Sequence, residues 1–490
     1  MTIQEAIKSG ATFEDIRKLF KRPVFEVEQA DAIKQYKVKD HKVLDPTVRK
    51  PKSIIKGTGE IGADGKEKTT TAFVEPVRIG MNFQKLIVDR RVGFMLTIPV
   101  KTETVFDAES DKEKQLISMV DRIQHDNKMD YVNKEIARKL MSEMEVAELW
   151  YLVENENISL WQKLFKTKGR FTLKVKILSP DNGDTLYPVF DSYGSLTAFG
   201  REYKIKEGEK DIEHFDIYLP ELEYYYAKRD GTWNLDERKG ADGKAIPNPR
   251  PNLIGKIMVV YHSQPAPEWA DQQSMIERLE NCHSNHGDMN DYFGSPILTI
   301  LGEIQGWVEK GDAGKVLQLE ENAKASFLAL NSPPESIDME QKNLKGNIFM
   351  LSQTPDISFE TMKGMGTIAQ FTMKAFFMDA HMAVGKKEEI FGKGLQRRLN
   401  LIKSSIGKVI DVSLSKEAET VLLKPVITPY LPGNTTEVIE NLSVAVTGGF
   451  LSKESAIEKN PLVVDSEIEL DRIKADNTTE LKENSKITEE

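Results

Sequence analysis

The chain has 490 residues, enough for about three structural regions at the usual domain size. With 39% hydrophobic and 29% charged residues it can bury a sizeable core; a mean hydropathy of −0.43, and no apolar run near the ~18 residues a bilayer needs, argue against a membrane protein. The net charge of −10 argues against a repressor-like or nuclease-like grip on duplex DNA, though not against a channel through which DNA slides.

A single cysteine, Cys282, excludes an intrachain disulfide framework and a Cys-based zinc ribbon, and fits a reducing cytosol. The opening Met1-Thr-Ile-Gln-Glu carries no basic stretch followed by an apolar one, so no secretory signal is expected. Residues 1 to about 75 are charged and turn-rich. Gly62-Ala-Asp-Gly65 and Gly240-Ala-Asp-Gly243 read as hairpin or loop tips. From Met81 to Val100, Phe83, Leu86, Ile87, Arg90 and Phe94 recur at steps of three and four and predict a helix with one apolar face.

Residues 111–155 predict two helices, followed by a strand near Leu149. Residues 170–262 predict an antiparallel sheet from Phe171–Ile177, Phe215–Leu219, Leu222–Tyr226 and Lys256–Tyr261. The block up to about 265 therefore reads as α+β. After Pro265-Ala-Pro267 come a polar helix to 292 and short β-like runs at Ile297–Leu301, Val316–Leu319 and Ala325–Leu330. A helix then starts after Ser332-Pro-Pro, with Glu335 in its first turn, and is broken at Thr354-Pro355-Asp356. A stretch with Gly364 and Gly366 precedes a long helix from about Thr367 to Ile406, with an interruption expected near Gly385 or Gly392. The tail beyond Ser466 is acidic and reads as disordered.

Four segments in this order resemble the portal family of tailed bacteriophages, over roughly residues 80–475. They are Asn82-Phe-Gln-Lys-Leu-Ile-Val-Asp89 with Pro99-Val100; Ile348-Phe-Met-Leu-Ser-Gln-Thr-Pro-Asp356 with Lys363-Gly-Met-Gly-Thr-Ile-Ala369; Lys386-Lys-Glu-Glu-Ile-Phe-Gly-Lys-Gly-Leu-Gln-Arg-Arg-Leu-Asn-Leu-Ile402; and Gly448-Gly-Phe-Leu-Ser-Lys-Glu-Ser-Ala456 through Pro461-Leu-Val-Val-Asp465 to Glu469-Leu-Asp-Arg-Ile473. Thr367 stands where the family often has Ser, and Thr97 where it usually has Gly; the first 75 residues match no element of the pattern.

The resemblance implies a portal fold: an α/β wing (1–265), stem helices (266–292 and 334–352), a small β-containing clip (293–333) and a tunnel loop (353–366). A long wing helix (367–411), a helical crown (412–475) and a disordered tail (476–490) would complete it. It implies a dodecameric ring at the capsid vertex, assembled in the host cytoplasm, that passes double-stranded DNA without reading its sequence. Expected partners are the terminase large subunit, a head-tail adaptor, and the major capsid and scaffold proteins; no membrane, cofactor, metal or catalytic residue is expected. Gln353, Thr354, Met362, Lys363, Gly364 and Met365 would face DNA in the tunnel loop, with Lys363 near phosphates and the methionines as pliable bulk. Pro355 would end the helix, and the glycines would free the backbone.

Rival chemistries find little support. His283 and His286 share a helix face beside Cys282 but lack the further ligands a metal needs, so a solvated helix face is expected. Glu268, Asp271, Glu277, Glu280, Asp288 and Asp291 make the first stem helix acidic, as a repulsive lining, an intersubunit pairing surface or simply a solvated face. Asp356 and Glu360 have no nucleophile nearby, and Asp356 reads as a turn former or cap. Lys386, Lys387, Arg397 and Arg398 suggest salt bridges between neighbouring subunits. Gly311-Asp-Ala-Gly-Lys-Val316 lacks the spacing and hydroxyl of a phosphate loop, which counts against a packaging ATPase.

Overall fold

Thr2 and Thr12 start the first two helices. Thr2 accepts from Glu5 N while the Glu5 carboxylate accepts from Thr2 N, closing a capping box on α1 (Ile3–Lys8), and Thr12 accepts from Asp15 N on α2 (Phe13–Lys18). The computed structural model describes residues 2–61, 67–106, 108–155, 171–239, 245–294, 297–301, 304–306, 318–319, 324–328, 334–358, 377–430, 435–463, 466 and 468–475.

After α3 (Gln29–Tyr36), β1 (Lys52–Ile61) pairs antiparallel with β2 (Glu67–Val74), as a hairpin tip at Gly62–Gly65 requires; the tip itself lies outside the described residues. α4 (Phe83–Leu96) buries Ile87, Val88, Val92, Phe94, Met95 and Leu96, so more than the single expected face is covered. Next come β3 (Lys101–Thr104), α5 (Asp111–Asp126) behind a Ser110–Glu113 capping box, and α6 (Met129–Glu143). β4 (Glu145–Glu154) begins earlier than the expected Leu149. Its first six residues are all buried, so no alternation marks its start.

The sheet residues form two antiparallel groups. β5 (Phe171–Leu178) pairs with β4. β6 (Thr185–Phe190), β7 (Leu196–Glu207), β8 (Lys210–Tyr218), β9 (Leu222–Arg229) and β10 (Thr232–Leu235) lie in the order β10-β9-β8-β7-β6. β11 (Arg238–Lys239) pairs with β12 (Ala245–Ile246) around the second predicted tip, and β13 (Arg250–Pro251) adds to β9. β14 (Val259–Ser263) flanks β4 on its other side. α1 and α2 lay Ile3, Ala6, Phe13 and Ile16 against Phe215, Ile217 and Trp233 of the larger sheet. Each such buried side chain stabilises by about 1.5–3 kcal/mol.

α7 (Gln273–Phe293) leads to two short antiparallel pairs. β15 (Ile297–Leu301) joins β18 (Lys324–Leu328), and β16 (Ile304–Gly306) joins β17 (Gln318–Leu319). α8 (Pro334–Leu351) packs on α7, where Arg278 pairs with Glu340 at 2.7 Å. α9 (Met378–Ser405) runs through Gly385 and Gly392 without the expected interruption. A helix interior needs no side chain to keep its hydrogen-bond ladder, and the two glycines cost only about 1 kcal/mol each. A π turn (Ile406–Ile410) ends it. α10 (Ser415–Thr420) follows, and β19 (Leu423–Val426) pairs with β3.

Contacts divide the chain into one unit of Met1–Thr354 with Ala383–Pro429 and another of Pro355–Met382 with Tyr430–Glu490. In the second, α11 (Thr435–Thr447) ends where Gly449 takes φ +74° and Phe450 N donates to Ala445 O at 2.9 Å. Ser452 then caps α12 (Lys453–Glu458). The tail read as disordered beyond Ser466 is helical over 468–475; residues 476–490 lie outside the described set.

Candidate functional site

α8 ends by a local backbone device. Thr354 N donates to Phe349 O and Gln353 N to Met350 O, both at 3.0 Å, while Gln353 adopts φ 51°. This is the left-handed termination that usually employs glycine, and a side chain there costs about 1–2 kcal/mol. The helix therefore stops at Leu351 through Gln353. Pro355 follows the stop and does not cause it, which corrects the sequence reading. Asp356 is a turn former as expected, its carboxylate accepting from Ser358 N at 3.1 Å.

Thr354 is buried and donates its hydroxyl to Ser352 O at 3.2 Å, so of the expected DNA-facing residues this one points into its own turn. Met362, Lys363, Gly364 and Met365 lie outside the described residues. The turn is anchored from below. Arg91 Nη2 donates to Ser352 O at 2.7 Å, and Arg91 Nε pairs with Glu268 Oε1 at 3.3 Å. Lys387 Nζ meets the other Glu268 oxygen at 2.6 Å. Arg90 lies over the Phe349 ring at 5.1 Å, and Phe83 meets it edge-on at 5.8 Å.

The Arg91 and Glu268 side chains are both largely covered, and burial lowers the Arg91 pKa against the opposing pull of Glu268. Arg91, two residues past the 82–89 segment, thus links the 348–356 turn to a carboxylate that Lys387 of the 386–402 segment also meets. Arg91 was missed in the sequence. Its signal was a charge set four residues after Ile87 and three before Phe94, inside the apolar spacing.

The Gly-Leu-Gln-Arg-Arg element is explained within the chain. Arg398 forms a bidentate pair with Glu148 at 2.7 and 2.8 Å, and Glu148 also accepts from Trp150 Nε1 at 3.0 Å and meets His262 Nε2 at 2.8 Å. Arg397 donates to Val259 O at 3.0 Å. Lys387, Arg397 and Arg398 therefore each have a contact within the chain; Lys386 stays exposed.

The acidic face of α7 is likewise partnered at home. Glu277 pairs with Lys42 at 3.0 Å, Glu280 with His41 at 2.6 Å, and Asp288 with both Arg49 and Lys52 at 2.8 Å. Met81 N donates to Glu280 at 2.8 Å and Val77 N to Asp288 at 2.6 Å. Segments 41–52 and 77–81, which the sequence pattern left unassigned, strap this helix. Only Asp271 and Asp291 of the six acids stay exposed. Cys282 is buried with Sγ 3.8 Å from Glu340, while His283 is half-buried, its pKa lowered by burial and then by His286.

Both His41 ring nitrogens face acceptors, Glu280 at 2.6 Å and Gln35 O at 2.7 Å, an arrangement only the imidazolium satisfies with two N–H groups. Burial lowers the His41 pKa, but the bonds to Glu280 and Gln35 O and the charges of Glu280 and Glu277 together outweigh it, so the net shift is upward from 6.5. The clasp is complete below about pH 6.5 and is lost as pH rises through the elevated folded value. Amide hydrogen exchange over residues 37–52 is therefore expected to accelerate between pH 6 and 9 beyond its intrinsic increase. His41→Gln should abolish that excess; an unchanged excess in the variant would exclude His41 as its source.

Comparison with known proteins follows the same segments. The family model described as "Phage portal protein, SPP1 Gp6-like" matches residues 26–483, so it takes in the strap but not α1 and α2. The portal protein of Bacillus phage SPP1 is 22% identical over 411 residues, covering 80% of this chain and 74% of that protein. Among solved structures, a chain of the virion of the native gene transfer agent (GTA) particle is 10% identical, with 92% of this chain and 96% of that one covered and a TM-score of 0.43. A chain of the neck of the empty GTA particle, computed with C6 symmetry, is 11% identical, with 76% and 87% covered and a TM-score of 0.41.

Proposed function

Because this chain belongs to the SPP1 Gp6-like family of phage portal proteins across residues 26–483, we propose that it is the subunit of a ring of twelve that forms the DNA channel at the capsid vertex. The single observation that carries the reading is that family match. The role is that of a structural component of the virion, the head-tail connector. No helix among the described residues is long and apolar enough to cross a membrane.

In this reading α7 and α8 are the stem, the β15–β18 pairs are the clip, and residues 1–265 with α9 are the wing. The crown extends from 412, with 412–429 as its base packed in the first unit. Residues 353–366 are the tunnel loop, and the Arg91–Glu268–Lys387 clasp supports that assignment by fixing the helix end from which it starts. The ring docks the terminase large subunit during packaging of double-stranded DNA and later a head-tail adaptor, with major capsid and scaffold proteins around it. Its role is mechanical, a passage that meets DNA without reading its sequence, with the packaging ATPase being another protein.

Cryo-electron microscopy of the purified chain tests this directly. Class averages should show a turbine-shaped ring with an axial pore lined by the 353–366 segment. A chain that stays monomeric by native mass at high concentration, or a ring whose 353–366 segment faces its outer rim, would overturn the assignment.

A further inference from the structure

The second half of α9 presents an unusual stripe on its uncovered side. Leu395, Arg398, Leu399 and Ile402 turn into the core, whereas Lys393, Arg397, Asn400 and Ser404 follow one another at steps of three and four along a groove. The opposite wall of the groove is formed by residues 255–257 and by α10 with Leu422. Two adjoining cavities, of 480 and 370 Å³, share Lys256 and Asn400.

Five cations line these cavities: Lys256, Lys393, Arg397, Lys403 and Lys408; the lining holds a single carboxylate, Glu419. That excess sits in a chain with 77 acidic and 67 basic residues, where an average surface would carry the opposite balance. None of the five pairs with a carboxylate among the described residues. Instead Arg397 donates to Val259 O at 3.0 Å, Lys408 to Ile254 O at 2.7 Å and Lys403 to Val421 O. Those carbonyls fix the positions of the cations without neutralising them.

The π turn (Ile406–Ile410) delivers Lys408 to the groove, and such turns are frequently found at functional sites. Burial and the neighbouring cations hold Lys256 below the usual lysine range, and burial and Lys256 do the same to Lys403. Like charges packed together without counter-ions repel one another, and a bound anion would relieve that repulsion.

We propose that this groove docks an acidic segment of a partner polypeptide, with acidic and apolar side chains interspersed. The cavities have room for side chains but not for a duplex, and their walls mix cations with Leu196, Ile257 and the half-exposed Leu422. Asn400 supplies its side-chain amide to a peptide backbone, while Gln396 and Ser404, whose own bonds go to Leu423 O and Asn400 O, supply acceptor oxygens. From Lys393 to Lys408 the stripe runs about 22 Å, the span of roughly six or seven extended residues. With a Debye length of about 8 Å at physiological salt, a segment in the groove meets the local cations more than the overall charge of −10. The inference stands on the groove and does not depend on a ring.

The test is fluorescence anisotropy of the full chain with two labelled probes: a peptide of about twelve residues alternating glutamate with leucine and glycine, and an oligothymidylate of similar length. The peptide should bind, more weakly as salt rises. Lys256→Glu combined with Lys393→Glu should weaken it about tenfold or more. Both lysines are exposed and hold no ion pair, and Lys256→Ala with Lys393→Ala, which adds no charge, should give a smaller loss in the same direction. Equal affinity in wild type and both variants, or tighter binding of the oligothymidylate than of the peptide, would overturn the proposal.

Discussion

Arg398→Met is expected to lower the unfolding free energy of the first unit by about 3–5 kcal/mol, because it leaves a buried carboxylate without its counter-charge. Glu148 is fully buried, and Arg398 is 1% exposed. Besides the bidentate pair, Arg398 Nη1 donates to Asn133 Oδ1 at 2.7 Å, so the guanidinium joins α6, β4 and α9. Burial pushes the Glu148 pKa up, but Arg398 and His262 outweigh it and hold the carboxyl at about 2. A depressed carboxylate contributes stability above its unfolded value of 4.5 and loses it as pH falls through about 2.

In Arg398→Met the balance reverses, since burial then favours the neutral acid. The deficit should be largest near pH 7 and shrink as pH drops toward 4. Urea unfolding followed by tryptophan fluorescence at both pH values reads the difference. Adding Glu148→Gln to the variant should recover a large part of the loss. A deficit that is independent of pH and untouched by the second substitution would mean that Arg398 matters for packing and not for its charge.

Gly394→Ala should destabilise by about 1–3 kcal/mol, whereas Gly385→Ala on the same helix should stabilise by about 0.5–1 kcal/mol. A Cβ at Gly394 would overlap the His262 ring, and that ring cannot swing aside. Its Nε2 is held by Glu148 at 2.8 Å, and its face lies 5.4 Å from the Phe391 ring. At Gly385 an added Cβ meets nothing within 4 Å, so only the helix-propensity gain remains. Opposite signs in thermal melts of the two variants are the expected result. Two stabilised variants would show that His262 and β14 can move away from α9.

Elements were legible wherever the signal was local. The helix after Ser332-Pro-Pro, the strands from Phe171 and Leu222, and the hairpins around both Gly-Ala-Asp-Gly turns follow from periodicity and turn chemistry confined to a few neighbours. The portal family was legible for a related reason: the resemblance rests on short local segments in a fixed order, although identity to the SPP1 relative is 22%. At Thr354 the deciding contact was also local. Thr354 looks like any loop hydroxyl until the left-handed Gln353 folds it inward.

Amino-acid order by itself settled which stretches coil, which extend and which faces turn inward, because those depend on contacts a few residues apart. It left open what each charged side chain meets. Arg398 finds Glu148 across 250 positions, and Arg49 finds Asp288 across 239. Periodicity marks a face as buried or polar but carries no record of the partner across so long a loop. Only the packed chain could decide that Glu277, Glu280 and Asp288 of α7 and Lys387 and Arg398 of α9 answer partners in their own chain, since burial makes an unpaired charge costly.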